Sequence, residues 1–229
     1  MRKIINSLLS KIKGENYNLS NQIPVKYLIS ILIRRFFMLI RGRLTFCKKD
    51  GYFFRGSNVK LLCKSKIKLG KGVTIASGCF LDALSREGIL IGNNSSMGKY
   101  TSIECTGSFK NIGKGITVGN DVGLGANGFF GCAGGIAIGD NTIMGNFVSF
   151  HSENHIYSSR LKPIKEQGTE RQGIVIGSDC WIGAKATILD GVIVEDGCVI
   201  AAGALLTSGT YKAYGIYGGV PAKLIKFRD

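Results

Sequence analysis

The stretch that decides the fold runs from residue 176 to residue 206 and reads Ile176-Gly-Ser-Asp-Cys-Trp-Ile182-Gly-Ala-Lys-Ala-Thr-Ile188-Leu-Asp-Gly-Val-Ile-Val194-Glu-Asp-Gly-Cys-Val-Ile200-Ala-Ala-Gly-Ala-Leu-Leu206. An aliphatic residue recurs in it at every sixth position. A period of six fits neither the 3.6-residue turn of an α-helix nor the two-residue alternation of a hairpin sheet. It fits a coil with three flat sides, in which each side is a short strand followed by a turn and one aliphatic side chain per side points inward.

The same six-residue step recurs earlier in the chain, in the runs Ile91/Met97/Ile103, Val118/Leu124/Phe130 and Ile138/Met144/Phe150. Glycine often follows the repeated residue, and the 33 glycines of the 229 residues are roughly twice the usual share of ~7%. Glycine suits the corners of such a coil because it tolerates tight turns. The sequence therefore predicts an all-β fold, a left-handed parallel β-helix over residues 58–208.

The N-terminal residues 1–57 read as a basic, mainly helical segment. The chain carries 30 Lys and Arg against 15 Asp and Glu, which favours an anionic partner such as a membrane surface or an acidic glycan. No recognition motif supports a nucleic-acid partner. The apolar run at 25–41 is interrupted by Arg34 and Arg35 and is shorter than the ~20 residues of a spanning helix. Two interpretations stay open for residues 1–45: a helix on the inner-membrane surface, or a helix docked on the main domain or a neighbouring subunit.

The seven cysteines are widely spaced and form no Cys-X-X-Cys pair, so neither a zinc ribbon nor a redox motif is expected. The N-terminus also lacks the features of a secretory signal. These observations predict reduced thiols in a cytoplasmic chain, with peripheral inner-membrane contact as the open alternative. Residues 209–229 contain Gly218-Gly-Val-Pro-Ala-Lys, which predicts a turn and then a closing element that caps the open end of the coil.

The repeat breaks between Phe150 and Ile176, and both histidines of the chain, His151 and His155, lie in this break. Insertions in repeat proteins form loops on one face, which is often the binding face, so residues 151–175 are the predicted active-site loop. An imidazole there is either a general base or a structural group. A catalytic zinc site commonly takes three protein ligands, and we expect no metal. Cys180 and Cys198 are either nucleophiles or small packing residues.

Several motifs together resemble those of the hexapeptide-repeat acyltransferases: the repeat, the histidine-bearing loop, Ile176-Gly-Ser-Asp-Cys-Trp-Ile-Gly-Ala, Val199-Ile-Ala-Ala-Gly-Ala and Gly219-Val-Pro-Ala-Lys. The chain is most similar to bacterial sugar and polysaccharide O-acetyltransferases, over roughly residues 60–229 and most specifically over 173–226. The resemblance implies a homotrimer with active sites in clefts between neighbouring β-helices. It also implies acetyl-CoA along the C-terminal coils and a histidine that deprotonates a sugar hydroxyl as the oxygen attacks the thioester.

The resemblance also implies roles for residues of the loop and the coil that follows. The family's histidine lies some two dozen residues before the tryptophan of Trp-Ile-Gly, here Trp181, so His155 is the expected base and His151 is expected on the substrate side. Either Glu153 or a backbone carbonyl would orient His155. Trp181 either lines the acceptor or cofactor cleft or packs in the coil. Backbone amides near Gly183 would stabilise the oxyanion.

The coenzyme-binding residues that the resemblance implies are Gly183, Ala184, Ala202, Gly203, Thr207, Lys223 and Lys226. Ser208 stands where the family commonly has lysine, so one phosphate contact is either weaker or made by Lys212. The sequence thus predicts an acetyl-CoA-dependent O-acetyltransferase for a sugar hydroxyl of a bacterial surface polysaccharide (capsule or lipopolysaccharide) or its precursor. N-acetylation of an amino sugar or nucleotide sugar is the alternative, because the loop does not separate a hydroxyl acceptor from an amine.

Overall fold

A computed structural model describes residues 19–20, 22–46 and 52–229. One long helix, α1 (Val25–Thr45), precedes 25 short strands, and a second helix, α2 (Ile164–Gln167), lies between β15 and β16. The strands are β1 Phe54–Arg55, β2 Lys60–Leu62, β3 Ile67–Leu69, β4 Thr74–Ile75, β5 Phe80–Asp82, β6 Gly88–Ile91, β7 Ser96–Met97, β8 Ser102–Glu104, β9 Gly115–Val118, β10 Gly123–Leu124, β11 Phe129–Gly131, β12 Ile136–Ile138, β13 Ile143–Met144, β14 Ser149–His151, β15 Asn154–His155, β16 Thr169–Glu170, β17 Ile174–Ile176, β18 Trp181–Ile182, β19 Thr187–Leu189, β20 Val192–Val194, β21 Val199–Ile200, β22 Leu205–Leu206, β23 Gly209–Tyr211, β24 Gly215–Gly218 and β25 Lys223–Phe227.

Three sheets form the sides of a prism, and the chain visits them in turn. The first sheet has the order β1-β4-β7-β10-β13-β18-β21-β24-β25, the second β2-β5-β8-β11-β14-β19-β22, and the third β3-β6-β9-β12-β17-β20-β23. Every pairing between successive coils is parallel. The predicted left-handed parallel β-helix is therefore confirmed.

The repeated aliphatic side chains fill the interior of the prism, as the six-residue step requires. Ile182, Ile188, Val194, Ile200 and Leu206 are all buried. The most regular coil has 18 residues, since Trp181 pairs with Val199, while other coils carry extra corner residues. Burial of one such side chain contributes about 1.5–3 kcal/mol, so the stacked rows provide most of the stability.

The prism is longer than the predicted span of residues 58–208. It begins at β1, because Phe54 and Arg55 pair with Thr74 and Ile75. It extends to β24, which pairs in parallel with β21, and Tyr211 and Tyr217 occupy core positions there. Only β25 then remains as the cap, and it closes the first sheet as an antiparallel strand.

In the described part of the predicted helical segment 1–57, α1 covers residues 25–45, while residues 1–18, 21 and 47–51, with Cys47, lie outside the described part of the chain. One side of α1 packs against the first coil, and Leu28, Met38 and Gly42 are buried there. A Cβ at Gly42 would lie 2.2 Å from the carbonyl oxygen of Phe53, so glycine permits this close approach. Near the middle of the helix, Arg35 donates a hydrogen bond to Oγ1 of Thr74 (2.8 Å) on the coil.

Two insertions leave the prism at the corner between the second and third sheets. The shorter one lies between β8 and β9, and an isolated bridge joins Gly107 to Ile112 in it. The longer one follows His151 at the end of β14 and returns at Ile174, where β17 resumes the coil. The break that the sequence predicts at 151–175 is therefore a loop that extends from one corner.

Candidate active site

His155 lies in the longer insertion, on a two-stranded hairpin. Strand β15 pairs antiparallel with β16, which sets His155 opposite Thr169. The imidazole is exposed to solvent and borders a cleft of about 500 Å³. This cleft lies between the two insertions and is lined by Gly107, Ser108, Lys110, Asn111, Glu153, His155, Lys165, Gly168, Thr169 and Arg171.

Arg171 ties the two insertions together behind His155. Its Nε and Nη2 both lie 2.5 Å from Oε2 of Glu153 in the same loop. The guanidinium also donates to the backbone carbonyls of Asn111 (3.1 Å) and Ile112 (3.4 Å) in the shorter insertion. A charge-assisted, two-pronged contact of this kind sets geometry as well as energy, so Arg171 defines the wall of the cleft.

Glu153 therefore contacts a different partner from the one expected. Its carboxylate is bound by Arg171, and within the described residues no hydrogen bond joins it to His155. The side chain is only 25% exposed, and a guanidinium is the natural partner for a carboxylate at such a depth. The proposed orienting contact between Glu153 and His155 is not formed in this structure.

His151 points away from the cleft. It ends strand β14 on the outer face of the second sheet, where its Nε2 lies 2.7 Å from Oγ of Ser149 and its ring lies 5.5 Å from that of Phe129. Burial lowers the pKa of His151 from its ordinary value, so the imidazole is neutral near pH 7. His151 does not line the cleft that contains His155.

Four of the residues expected to bind coenzyme lie on the corner between the first and second sheets. Gly183 and Ala184 connect β18 to β19, and Ala202 and Gly203 connect β21 to β22 in the next coil. Gly203 has φ +72°, and a Cβ there would meet no atom within 4 Å, so the surface above it is open. Gly183 differs because it is buried, and a Cβ would lie 2.5 Å from the amide nitrogen of Ala202. Close stacking of the coils thus requires glycine at 183.

The amides of this corner are not equivalent. Gly183 donates to the carbonyl of Ile200 (2.7 Å), whereas no hydrogen bond from the Ala184 amide is found among the described residues. In an earlier coil, Ala126 takes the place of Ala184 and Asn146 takes the place of Ala202. There the amide of Ala126 donates to Oδ1 of Asn146 (2.9 Å). Alanine at 202 offers no side-chain acceptor to Ala184. The Ala184 amide is therefore a free donor on an exposed corner.

The remaining predicted residues lie around the last coils. Trp181 is 54% exposed on the outer face of the first sheet, so it does not pack in the core. Lys223 and Lys226 are exposed on β25 at the end of the same sheet. Thr207 lies instead at the corner between the second and third sheets, where its backbone exchanges hydrogen bonds with the Tyr211 hydroxyl (3.0 and 3.1 Å).

Lys212 forms an ion pair, and the two late cysteines are buried. Lys212 forms a solvent-exposed ion pair with Glu195 at 3.2 Å. Cys180 and Cys198 are buried in the core, and burial raises the pKa of the Cys180 thiol to about 11. A thiol at that pKa is protonated near neutral pH and is a poor nucleophile, which supports the packing interpretation.

His155 and the corner formed by Ala184 and Ala202 lie on different sides of one chain. The loop with His155 leaves the corner between the second and third sheets, whereas Ala184 and Ala202 lie at the corner between the first and second. The full width of the second sheet separates the two corners. None of the expected coenzyme residues lines the cleft at His155. No group of three or more His, Cys, Asp or Glu in the described ranges is placed to hold a metal ion.

The last coils match a known family. Residues 173–208, which contain strands β17 to β22, match the family described as bacterial transferase hexapeptide (six repeats). This match covers 36 of the 229 residues, so the similarity to that family lies in the last coils. A curated relative, the probable acetyltransferase Rv3034c of Mycobacterium tuberculosis, is 28% identical over 176 residues, or 77% of this chain. The match spans about half (55%) of that relative's own length.

Solved structures of an N-acyltransferase share the fold. A serine-to-alanine variant of AntD, an N-acyltransferase from Bacillus cereus solved with dTDP-4-amino-4,6-dideoxyglucose and coenzyme A, superposes with a TM-score of 0.52 at 18% identity, over 79% of this chain and 82% of that one. An aspartate-to-alanine variant of AntD solved with dTDP and coenzyme A gives a TM-score of 0.50 at 17% identity, with the same coverage. At this identity the likeness concerns the fold alone.

The sequence pattern did not predict the shorter insertion or the residues that build the cleft. Arg171, Lys110 and Lys165 line it, yet none stands out in a repeat pattern. One signal was present in the sequence. The aliphatic step from Ile103 to Val118 is not a multiple of six, which marks a second departure from the coil between β8 and β9.

Proposed function

We propose that the chain is an acetyl-CoA-dependent O-acetyltransferase that acts directly on a sugar hydroxyl of a bacterial surface polysaccharide or its precursor. The observation that carries this proposal is the exposed imidazole of His155, which borders an open cleft on a loop of a hexapeptide-repeat β-helix. The relative Rv3034c is described as a probable acetyltransferase, and AntD has been crystallised with coenzyme A. Both descriptions favour an acyl-CoA donor.

The chemistry requires few groups. The acceptor hydroxyl oxygen attacks the thioester carbonyl carbon as His155 takes the hydroxyl proton, which gives a tetrahedral oxyanion. The free amide of Ala184 is the proposed donor to that oxyanion, since its hydrogen is unused in the chain. Collapse breaks the carbon–sulfur bond and expels coenzyme A as a thiolate, which recovers the proton from the imidazolium. The products are the acetyl ester and free coenzyme A.

The general base favours a hydroxyl acceptor over an amine. A neutral amine attacks a thioester without losing a proton first, whereas a sugar hydroxyl is a weak nucleophile until a base removes its proton. His155 provides such a base. N-acylation is the second candidate, because AntD is an N-acyltransferase solved with an amino-sugar nucleotide. Matched sugars that differ only in a hydroxyl or an amine at one position would separate the two by their acetylation rates.

We further propose that the functional unit is a homotrimer in which each site uses two chains. The separation of His155 from Ala184 and Ala202 across the second sheet supports this arrangement. The half-exposed Trp181 and the exposed Ile143 beside it on the first sheet are apolar groups suited to a subunit contact. Aromatic residues are enriched in such interfaces.

Mixed trimers test the shared site. His155→Ala removes the base, and Ala202→Trp blocks the coenzyme groove at an exposed position. Each homotrimer is expected to be inactive. The two variants are mixed in equal amounts while unfolded and are then refolded together. If one chain supplies the base and the next chain supplies the groove, about a quarter of the wild-type activity should return. Closed cyclic symmetry pairs each chain with its neighbour, and about a quarter of such random pairs combine an intact base with an intact groove. No recovery in properly assembled mixed trimers would show that both groups of a site come from one chain.

The acceptor is tested in cells. Mass spectrometry of surface glycans from strains with and without the protein is expected to differ by one acetyl group on one sugar. Identical glycans would contradict the polysaccharide assignment.

We propose a cytoplasmic enzyme on the basis of its thiols, because the six described cysteines are all free, as is usual in a reducing compartment.

A further inference from the structure

The orientation of α1 on the β-helix is fixed by contacts along one side. Leu28, Met38 and Gly42 are buried on that side. The Arg35 guanidinium reaches Thr74 and lies 4.7 Å from the ring centroid of Phe54. Because a helix turns once every 3.6 residues, these contacts determine which side chains point away from the coil.

The side that points away is apolar. Seven aliphatic or aromatic side chains with exposed fractions from 38% to 78% lie on it: Ile29, Leu32, Ile33, Phe36, Phe37, Ile40 and Leu44. Their spacing of three and four residues places them in one band opposite Leu28, Met38 and Gly42. We call this band the outer face of α1. Contiguous exposed apolar surface of this kind marks an interaction site.

Charge narrows the choice of partner. The sequence of α1 contains Lys26, Arg34, Arg35, Arg41 and Arg43 and not one acidic residue. Lys26, Arg34 and Arg43 are exposed. If two copies of the chain packed through the outer face, these like charges would approach each other without a carboxylate on either helix to pair with them. An anionic surface instead complements both the apolar band and the basic side chains.

The helix meets the description of an interfacial segment. Within the part of the chain that the structure describes, no helix is long and apolar enough to cross a membrane. Apolar side chains on one face together with Lys and Arg are typical of helices that lie in the plane of a membrane surface. The arginines then sit at the level of the headgroups while the apolar band reaches the acyl boundary.

We propose that the outer face of α1 binds the surface of a bilayer that contains anionic lipids. This contact lies at the first coil, since α1 packs against β1, whereas Ala184 and Ala202 belong to the last coils. The enzyme would therefore stand on the membrane by its N-terminal end with its coenzyme corner in solution. The inference needs neither acetyl-CoA nor an acceptor, so it stands or falls separately from the proposed function.

Co-sedimentation of the full chain with lipid vesicles tests the proposal. Vesicles of phosphatidylethanolamine with phosphatidylglycerol are expected to bind the protein, and vesicles of phosphatidylcholine alone are expected to bind it weakly. Arg34→Ala with Arg43→Ala should lower the partition coefficient roughly 30-fold, the effect of removing two basic side chains from an anionic surface. Phe36→Ser with Phe37→Ser should reduce binding to both kinds of vesicle.

A matched control uses two apolar side chains that are more exposed but lie on the insertions. Phe109 and Leu161 are 87% and 95% exposed, and Phe109→Ser with Leu161→Ser should leave vesicle binding unchanged. Thermal melting of each variant confirms that the β-helix is folded. The proposal is overturned if the wild-type chain stays in the supernatant with anionic vesicles, or if the control loses as much binding as the Phe36/Phe37 variant. It is also overturned if the Phe36/Phe37 variant changes the oligomeric state in sedimentation while vesicle binding persists.

Discussion

Replacement of Arg171 by methionine should open the cleft without unfolding the β-helix. Methionine keeps the length of the side chain and removes its charge and donors. The variant loses the ion pair with Glu153 and the bonds to the carbonyls of Asn111 and Ile112. The ion pair lies within the longer insertion, and the two carbonyl contacts join it to the shorter one. Their loss should therefore loosen the insertions and leave the coil intact.

The size of the effect follows from the burial of the pair. Loss of one partner from a buried ion pair costs about 3–5 kcal/mol. The Arg171 and Glu153 side chains are 13% and 25% exposed, so we reduce this to roughly 2–4 kcal/mol for partial solvation. Such a cost shifts the equilibrium between the closed and open loops by roughly 30- to 1000-fold. The expected fall in kcat/KM for the acceptor is about 10- to 100-fold, because a misplacement of about 1 Å at a binding wall can cost on the order of 100-fold.

Three measurements check the reasoning. Release of free coenzyme A gives the rate of transfer, hydrogen exchange reports opening at 106–112 and 152–173, and thermal melting reports the coil. Exchange in both insertions should rise, while Tm changes by less than about 3 °C because the buried rows are untouched. Glu153→Gln, which keeps an acceptor for Arg171, should have a smaller effect on kcat/KM than Arg171→Met.

The opposite ranking would refute this account of Glu153. If Glu153→Gln lowers kcat as far as loss of the base does while Arg171→Met leaves it intact, Glu153 acts on His155 during the reaction. If exchange rises only in the longer insertion, Arg171 does not join the two loops in solution.

The remaining predictions concern the acceptor, one histidine and the core. Lys110 and Lys165 are exposed in the cleft beside the paired Arg171, so their replacement by glutamate should raise KM for an anionic acceptor about tenfold or more at low salt, with the difference narrowing as salt is added. NMR titration should place the pKa of His151 below its ordinary value because of burial. Since the unfolded chain then binds more protons, His151 should reduce stability as the pH falls through and below about 6.5, measured by denaturant unfolding. Phe150→Ala should lower the free energy of unfolding by about 3–5 kcal/mol, because Phe150 is fully buried and stacks on Phe130; a loss below 1 kcal/mol would contradict that packing.

The fold could be predicted because one physical rule acts at every coil. An inward aliphatic side chain at each side leaves a six-residue record in the sequence, and Ile176 to Leu206 keep it without a slip. The predicted C-terminal end of the β-helix falls short of the observed one because Tyr211 and Tyr217 take the core positions of the last coil. Their ring centroids are 4.9 Å apart. A search for aliphatic residues passes over that final coil.

The site was only partly predictable. The loop position and the shared corner of Ala184 and Ala202 follow from the repeat, because the repeat fixes which residues stack in successive coils. The partner of Glu153 does not, since Arg171 is eighteen residues away in an irregular loop and no periodicity relates the two. Which side chains meet across an insertion depends on the loop's own path, and short-range pattern rules do not record that path.

The central claim is that His155 is the base for acetyl transfer from acetyl-CoA. Its most direct test is the rate of coenzyme A release by His155→Ala, His151→Ala and the wild-type chain with a glycan acceptor that the wild type acetylates. The account predicts that kcat falls about 10²- to 10⁴-fold in His155→Ala, with assembly and coenzyme A binding unchanged, while His151→Ala retains most of its rate. Loss of transfer in His151→Ala together with normal turnover in His155→Ala would contradict it.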